Sequence, residues 1–274
     1  MFGSVSKLVL HPYPHRAVVR QLSRLLKLGS YDWRVGIGAV TRPHYGFCVY
    51  QGARLAQKLG YKQISVLEFG VGGGNGLLNL EDHADQASKA LGVSIEIYGF
   101  DTAQGLPKPV DYRDLPYHWK KGFYQMDQDA LRKRLRFAKL VIGDVRQNLE
   151  RFFDDHNPAP IAVVMHDLDF YSSTAAALRL FDADEKHLLP RVFNYFDDIV
   201  GTVTELHNDF TGERLAINEF NATHQQIKLC PAYHLLCQNV VEQWFNQIFI
   251  LHSFAHSRYN DFVSGENQQL PLED

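Results

Sequence analysis

Two apolar segments of this chain end in acids, and the first continues into a run of glycines. ISVLEFGVGGGNG at residues 64–76 holds Glu68 just before the glycines, and IEIYGFD at 95–101 ends in Asp101. A buried parallel strand that runs into a glycine-rich turn and a helix opens a nucleotide pocket in an α/β sheet. An acid at the end of the next strand is placed to accept hydrogen bonds from both ribose hydroxyls. The two segments therefore predict a site for a nucleotide-like ligand.

The spacing of the glycines distinguishes between cofactors. The dinucleotide fingerprint needs glycines at i, i+2 and i+5, and here the third position falls on Asn75, Leu77 or Asn79. This spacing opposes an NAD-dependent oxidoreductase. The pattern present is acid-x-Gly-x-Gly-x-Gly, formed by Glu68, Gly70, Gly72 and Gly74. It resembles the first motif of class I S-adenosylmethionine-dependent methyltransferases, whose glycines let the backbone approach the methionine part of the cofactor. A tight strand-to-helix turn without a ligand is the alternative.

Four carboxylates follow two later strand candidates. VVMHDLDFYSST at 163–174 and NYFDDI at 194–199 carry a histidine and four acids, which are His166, Asp167, Asp169, Asp197 and Asp198. Neighbouring parallel strands bring such residues to one edge of the sheet, where ligands bind. Carboxylates gathered there repel one another unless a hard divalent cation such as Mg²⁺, Mn²⁺ or Ca²⁺ is bound. The alternative is that Asp169 caps the next helix with Ser172 or Ser173 and that Asp198 bonds to a loop backbone.

Two further residues are candidates for cofactor contacts by resemblance to the class I fold. Asp144 follows the strand candidate at 139–142, where this fold commonly contacts the adenine amino group; a helix N-cap is the alternative, and both roles are compatible. Arg42 precedes a helix candidate at 46–59 and could pair with the methionine carboxylate. A surface turn formed by Arg42 and the following proline is the alternative.

Three segments together resemble the macrocin O-methyltransferase family, which consists of metal-dependent class I enzymes that methylate sugar hydroxyls. The segments are GFDTAQGLP at 99–107, DLDFYSST at 167–174 and YFDDI at 195–199. The resemblance implies that Asp167, Asp197 and Asp198 hold Mg²⁺ and that Asp167 also acts as the base. Apart from the resemblance, His166 is a second candidate base beside Asp167. The chain departs from the family pattern at Leu168, where the family usually has glycine, and at His166, where an apolar residue is usual.

The order of elements predicts a doubly wound, mostly parallel seven-stranded sheet of the class I methyltransferase type. The strand candidates are 64–69, 95–100, 139–142, 161–166, 192–196, 226–236 and 244–254, the last two forming a hairpin. Helices are expected near 76–91, 127–137, 146–153, 173–181 and 210–221. The segments 15–29 and 46–59 predict N-terminal helices that cover the domain. A loop at 104–124 is long enough to be functional or mobile.

Composition limits the partners. The chain has 274 residues, of which 45% are hydrophobic and 22% charged, and a net charge of -3, so nucleic acid is not an expected partner. There is no signal-peptide pattern or apolar stretch of membrane-span length. A membrane partner is therefore not expected. Cys48, Cys230 and Cys237 form no paired motif, which predicts a reducing, cytoplasmic location.

These patterns lead to one preferred functional hypothesis. We expect an S-adenosylmethionine-dependent, divalent-metal-dependent O-methyltransferase that acts on a hydroxylated small molecule, similar to a sugar or glycoconjugate. A homo-oligomer is compatible with the sequence. The expected division is a helical cover at 1–60, a methyltransferase domain at 61–262 and a polar tail at 263–274. The competing hypothesis is a non-catalytic binding or scaffold protein on the same fold, which failure to bind the cofactor would favour.

Overall fold

The fold is built around one seven-stranded sheet. The computed structural model describes residues 14–238 and 242–265. The strands lie in the order β3-β2-β1-β4-β5-β7-β6; β1 to β5 are parallel, and β7 runs antiparallel between β5 and β6. The strands are β1 (Gln63–Phe69), β2 (Ser94–Asp101), β3 (Lys139–Ile142), β4 (Ile161–His166), β5 (Leu188–Phe196), β6 (Ile227–Pro231) and β7 (Ile248–Ser253).

Helices precede and connect the strands, and several of them pack on the two faces of the sheet. They are α1 (Pro14–Leu26), α2 (Tyr31–Gly36), α3 (Pro43–Lys58), α4 (Asn75–Leu91), α5 (Gln128–Arg134), α6 (Val145–His156), α7 (Tyr171–Leu178), α8 (Gly212–Thr223) and α9 (Tyr233–Leu236). One apolar core lies between the sheet and α3 and α4, and a second lies between the sheet and α6, α7 and α8. The predicted α/β class and doubly wound arrangement are confirmed for the described residues.

The central strands are buried because both of their faces meet helices. All six residues of β4 are buried, as are the last six of β1. Such strands read as continuous apolar runs rather than alternating ones, which is why 64–69 and 161–166 could be located from the sequence. The strand order reverses between β1 and β4, and open α/β sheets bind ligands at such a switch point.

The turn after β1 depends on a glycine. Gly70 has a φ of 85°, and a Cβ at this position would lie 1.7 Å from the carbonyl oxygen of Asp167. The Asp167 N–H in turn donates to the Phe69 carbonyl at 2.9 Å. The absence of a side chain at Gly70 therefore lets the glycine-rich turn lie directly against the first acid after β4.

Several element boundaries differ from those predicted. β6 ends at Pro231 and is followed by α9, and a 3-10 helix, Gln243–Gln247, precedes β7. α5 ends at Arg134, because the buried Glu81 carboxylate accepts the next free backbone N–H groups, those of Arg136, Phe137 and Ala138.

The covering role predicted for the first helix is not confirmed. α1 forms, but its apolar side chains are exposed in the described structure, Leu25 to 68%. The start of the predicted cover, residues 1–13, and most of the predicted polar tail, residues 266–274, lie outside the described residues. Within the described residues, no helix has the length and apolar character needed to cross a membrane.

Candidate active site

One cavity of about 800 Å³ opens at the carboxyl ends of the central strands. This volume is within the usual range of small-molecule sites. Among its lining residues are all but one of the predicted site residues, namely Arg42, Glu68, Gly70, Gly72, Gly74, Asp101, Asp144, Asp167, Asp197 and Asp198. The exception is His166. The topology therefore brings together side chains that lie as far apart in the sequence as Arg42 and Asp198.

The Asp101 carboxylate organises the glycine-rich turn. Its Oδ2 accepts hydrogen bonds from the backbone N–H groups of Val71 at 2.9 Å and Gly72 at 2.8 Å, and its Oδ1 accepts from Ala103 N–H. Burial raises the pKa of Asp101, and these three N–H donors act in the opposite direction. A carboxylate offers about four acceptor positions, so one remains, which is enough for one of the two ribose hydroxyls that Asp101 is predicted to bind.

Glu68 lies at the buried wall of the cavity. It is 1% exposed, and its Oε1 accepts a hydrogen bond from the Tyr45 hydroxyl at 2.8 Å. Its Oε2 has no hydrogen-bond partner among the described residues, and burial raises its pKa to about 8. Gly76 makes room for the carboxylate, since a Cβ there would lie 2.0 Å from Oε1. The unsatisfied oxygen suits a ligand group that donates a hydrogen bond or carries positive charge.

Arg42 supplies positive charge to the same cavity. It precedes α3 with a left-handed φ of 45°, and its guanidinium lies 5.3 Å from the centre of the Tyr45 ring. Burial raises the pKa of both Glu68 and Asp167, and the charge of Arg42 opposes this rise. No carboxylate of the described chain forms an ion pair with it, so its guanidinium is available to an anionic ligand group.

Asp144 is a helix cap that also lines the cavity. Its carboxylate accepts from the Arg146 N–H at 2.9 Å at the start of α6 and pairs with the Arg146 guanidinium at 2.6 Å. The Arg146 guanidinium therefore lowers the pKa of Asp144. The N-cap alternative is confirmed, and the adenine contact stays a prediction.

Three acids form a compact group at the ends of β4 and β5. One carboxylate oxygen from each of Asp167, Asp197 and Asp198 lies within 4.8 Å of the others. Burial raises the pKa of Asp167 and Asp198 well above the usual range, and the neighbouring carboxylates raise both further. An all-oxygen set under mutual repulsion fits a hard divalent cation. We call these three residues the acid cluster.

The fourth predicted carboxylate has a different role. Asp169 has a left-handed φ of 59°, and its backbone N–H donates to Asp198 Oδ2 at 2.9 Å. Burial and the charge of Asp197 raise the pKa of the Asp169 side chain to about 7. Asp169 therefore orients a member of the acid cluster through its backbone and adds negative charge beside it.

Glu213 supports the acid cluster from behind. It is fully buried at the start of α8, and its Oε2 accepts the Asp198 N–H at 2.9 Å. Burial raises its pKa well above the usual range. In the sequence it has the ordinary appearance of a first-turn helix acid, so only the fold shows that it reaches the chain after β5.

Asp197 is held by two residues that the sequence did not single out. The Tyr195 hydroxyl donates to its Oδ1, and the Gln247 side-chain amide donates to its carbonyl at 2.7 Å. The His44 ring stacks on Tyr195 with 4.4 Å between ring centres. By contrast, the Asp167 carboxylate accepts no hydrogen bond from the described chain, so it is the least constrained member of the acid cluster.

The geometry contradicts the prediction that His166 is a base. Its ring is fully buried, stacks on Phe196 with 4.2 Å between centres, and contacts Asn194 Oδ1 through Nε2 at 3.1 Å. Burial lowers its pKa to about 3. Successive strand residues point to opposite faces, so Asp167 faces the cavity while His166 faces the aromatic core.

The long loop at 104–124 forms part of the cavity wall. The buried Asp114 carboxylate accepts the Ser172 N–H at 2.9 Å and its hydroxyl at 3.0 Å, and it also accepts the Val110 N–H at 2.8 Å. Asp114 thus takes the capping position at α7 that the sequence alternative gave to Asp169. Trp119 and Leu115 of the same loop are buried together in a small apolar cluster.

The raised pKa of Glu68 predicts a pH effect on stability. Because folding raises its pKa from 4.5 to about 8, the stability due to its neutral form is fully present below about pH 4.5 and is lost as the pH rises through about 8. The free energy of unfolding of Glu68→Gln should equal that of the parent near pH 5 and exceed it near pH 9, by at most roughly 5 kcal/mol. Urea unfolding at both pH values measures this difference. The exposed Glu150→Gln serves as the control, and a Glu68→Gln curve parallel to that of the parent would contradict the assignment.

Comparisons with known proteins show the fold. No protein-family model matches the chain, and neither does any curated protein. Among solved structures, it is similar to the calicheamicin methyltransferase CalS11, with a TM-score of 0.50, 20% identity, and coverage of 90% of this chain and 89% of that one.

Two further solved structures resemble the chain more weakly. The O-methyltransferase TomG from Streptomyces achromogenes, in complex with S-adenosylmethionine, gives a TM-score of 0.43 at 17% identity over 91% of this chain and 94% of that one. MycE, in complex with Mg, S-adenosylhomocysteine and mycinamycin VI, gives a TM-score of 0.42 at 14% identity, with coverage of 97% of this chain and 65% of that one. The likeness to CalS11, with the strand order and the antiparallel β7, shows that the chain has the class I methyltransferase fold.

Proposed function

We propose that this chain is an S-adenosylmethionine-dependent methyltransferase that transfers the methyl group to a hydroxyl of a small-molecule acceptor, with a divalent cation at the acid cluster. The observation that carries the proposal is the shared cavity. A glycine-rich turn organised by Asp101 and three acids suited to a hard cation line the same space, so a cofactor and a metal-oriented acceptor could meet there.

The proposed cofactor site uses the charges of the cavity. Arg42 would pair with the methionine carboxylate, and the unsatisfied oxygen of Glu68 would accept a hydrogen bond from the cofactor's ammonium group. Asp101 would accept from the ribose and Asp144 from the adenine amino group. The glycines of the turn after β1 would let the backbone approach the methionine part of the cofactor, which carries no phosphate.

The proposed reaction is an in-line displacement. When bound, the cofactor would supply a methyl group activated on its sulfonium sulfur, so that a C–O bond to the acceptor oxygen could form as the C–S bond breaks, with the neutral thioether S-adenosylhomocysteine as the leaving group. The protein contributes mainly by holding both reactants in line. A divalent cation at Asp167, Asp197 and Asp198 would lower the pKa of the acceptor hydroxyl and fix its angle. Asp167 would take the hydroxyl proton, because its carboxylate accepts no hydrogen bond from the described chain.

The hydroxylated acceptor is proposed from the resemblance to the macrocin O-methyltransferase family, together with the metal-type acid cluster. The non-catalytic alternative is less favoured. The glycine pattern, Asp101 and the acid cluster are all present and line the cavity, whereas a protein that no longer binds cofactor or metal has no need of buried, mutually repelling acids.

Calorimetry on chelator-treated protein tests the proposal. We expect S-adenosylmethionine to bind with a dissociation constant on the order of micromolar, and Mg²⁺ to give a separate heat. Asp197→Ala should lose the Mg²⁺ heat and keep cofactor binding, because Asp197 belongs to the acid cluster and not to the glycine-rich turn. The exposed Asp155→Ala is the matched control. Failure of the parent to bind the cofactor with or without Mg²⁺ would leave the scaffold hypothesis.

Glu213 should affect metal binding without contacting the metal. Glu213→Met removes the acceptor of the Asp198 N–H and should weaken Mg²⁺ binding by about 10-fold or more, as loss of groups behind metal ligands typically does. Glu213→Gln keeps an acceptor oxygen and should restore most of the affinity. Mg²⁺ calorimetry measures both, with thermal unfolding to confirm that each variant is folded. Parent-like Mg²⁺ affinity in a folded Glu213→Met protein would exclude this positioning role.

A further inference from the structure

α1 contacts the rest of the molecule through its polar side. Ser23 is 2% exposed, and the Arg20 guanidinium donates to Glu242 Oε1 at 2.6 Å. An amphipathic surface helix normally turns its apolar stripe toward the core. Here the orientation is reversed, with polar residues against the body of the protein.

The opposite side of α1 is apolar and exposed. Its residues are Val18, Val19, Leu22, Leu25 and Leu26, with exposed fractions from 42% to 68%. At 100° per residue, they fall within an arc of roughly 120° that excludes Arg20, Ser23 and Arg24. We call these five residues the α1 face.

The size of the exposed surface matches one half of a protein interface. Together with Leu28 and Trp33, which follow α1 in the sequence and are 50% and 42% exposed, the α1 face offers on the order of 700 Å² of exposed apolar residues, whereas the largest patch on a typical monomer is about 300–600 Å². A stable dimer buries about 800 Å² per partner. The patch therefore approaches the area that a second copy would cover.

The charge distribution also favours a second copy as the occupant. Among the described side chains of α1, which are those of residues 17–26, none within the arc of the α1 face is charged, so pairing these side chains with their copies would bury no charge and bring no like charges together. An anionic membrane surface would instead be attracted by basic residues at the edges of the face. In this helix Arg20 and Arg24 lie on the side opposite the α1 face and not at its edges, and Arg20 is also paired with Glu242.

We propose that the α1 face pairs with the same face of a second copy of this chain in an isologous, two-fold contact. The contact is separate from the cavity and does not depend on the proposed methyl transfer. It gives the exposed apolar side of α1 a partner that the described single chain does not provide.

Sedimentation velocity of the full chain between about 1 and 100 μM tests the proposal. The parent should be a dimer, and Leu25→Arg should weaken the dimer about 30-fold or more, as expected for a residue central to an interface. Arg24→Glu, on the other side of the same helix, should leave the dimer unchanged. Val18→Lys is a second variant in case Leu25→Arg does not fold, with circular dichroism as the check.

Three outcomes would overturn the proposal. A monomeric parent across the whole concentration range would exclude the dimer. A Leu25→Arg or Val18→Lys protein with parent-like association would show that any dimer uses another surface. A monomeric parent that pellets with phosphatidylserine–phosphatidylcholine vesicles, and loses this property in Leu25→Arg, would identify the α1 face as a membrane contact.

Discussion

Repulsion between carboxylates at one edge of the sheet is the constraint on which the site depends. Asp167, Asp197 and Asp198 bring their oxygens within 4.8 Å of one another, and Glu213 lies fully buried behind them. Like charges this close raise one another's pKa values and disfavour the ionised form. The fold keeps the group together with hydrogen bonds from Tyr195, Asp169 and the Asp198 backbone. A hard cation would relieve the remaining repulsion, and the rest of the proposed chemistry follows from that.

The same edge of the sheet joins this acid cluster to the glycine-rich turn. β1 and β4 are neighbours, so the chain after one strand lies against the chain after the other. Gly70 permits a separation that no side chain would allow, because its Cβ would overlap the Asp167 carbonyl. Asp101 then holds the turn through two backbone N–H groups. A cofactor on the turn and an acceptor at the acid cluster would thus be neighbours because of backbone packing.

The sequence predicted the parts of the fold that depend on local pattern. Apolar runs located the central strands, and acids at their ends predicted the acid cluster, because the carboxyl ends of parallel strands share one edge. Side-chain direction was harder to predict. His166 and Asp167 are adjacent in the sequence, yet His166 lies in the aromatic core and Asp167 lines the cavity. Which of the two faces the cavity depends on how the alternating side chains of β4 are oriented, and the sequence does not show this. Glu213 and Asp114 act on residues 15 and 58 positions away in the chain, so no local pattern reveals them. The exposed side of α1 could not be predicted either, because amphipathic periodicity gives the two sides of a helix and not their orientation.

In the proposed reaction, a bound cofactor presents its methyl group next to a cation at the acid cluster. Paramagnetic broadening tests this arrangement, by recording the ¹³C-methyl resonance of labelled S-adenosylmethionine bound to the protein with Mg²⁺ and then with Mn²⁺. We predict strong broadening with Mn²⁺ in the parent and its loss in Asp197→Ala, with the cofactor still bound. A bound cofactor whose methyl resonance is equally sharp with both metals would contradict the account, because the cation would then be remote from the transferred group.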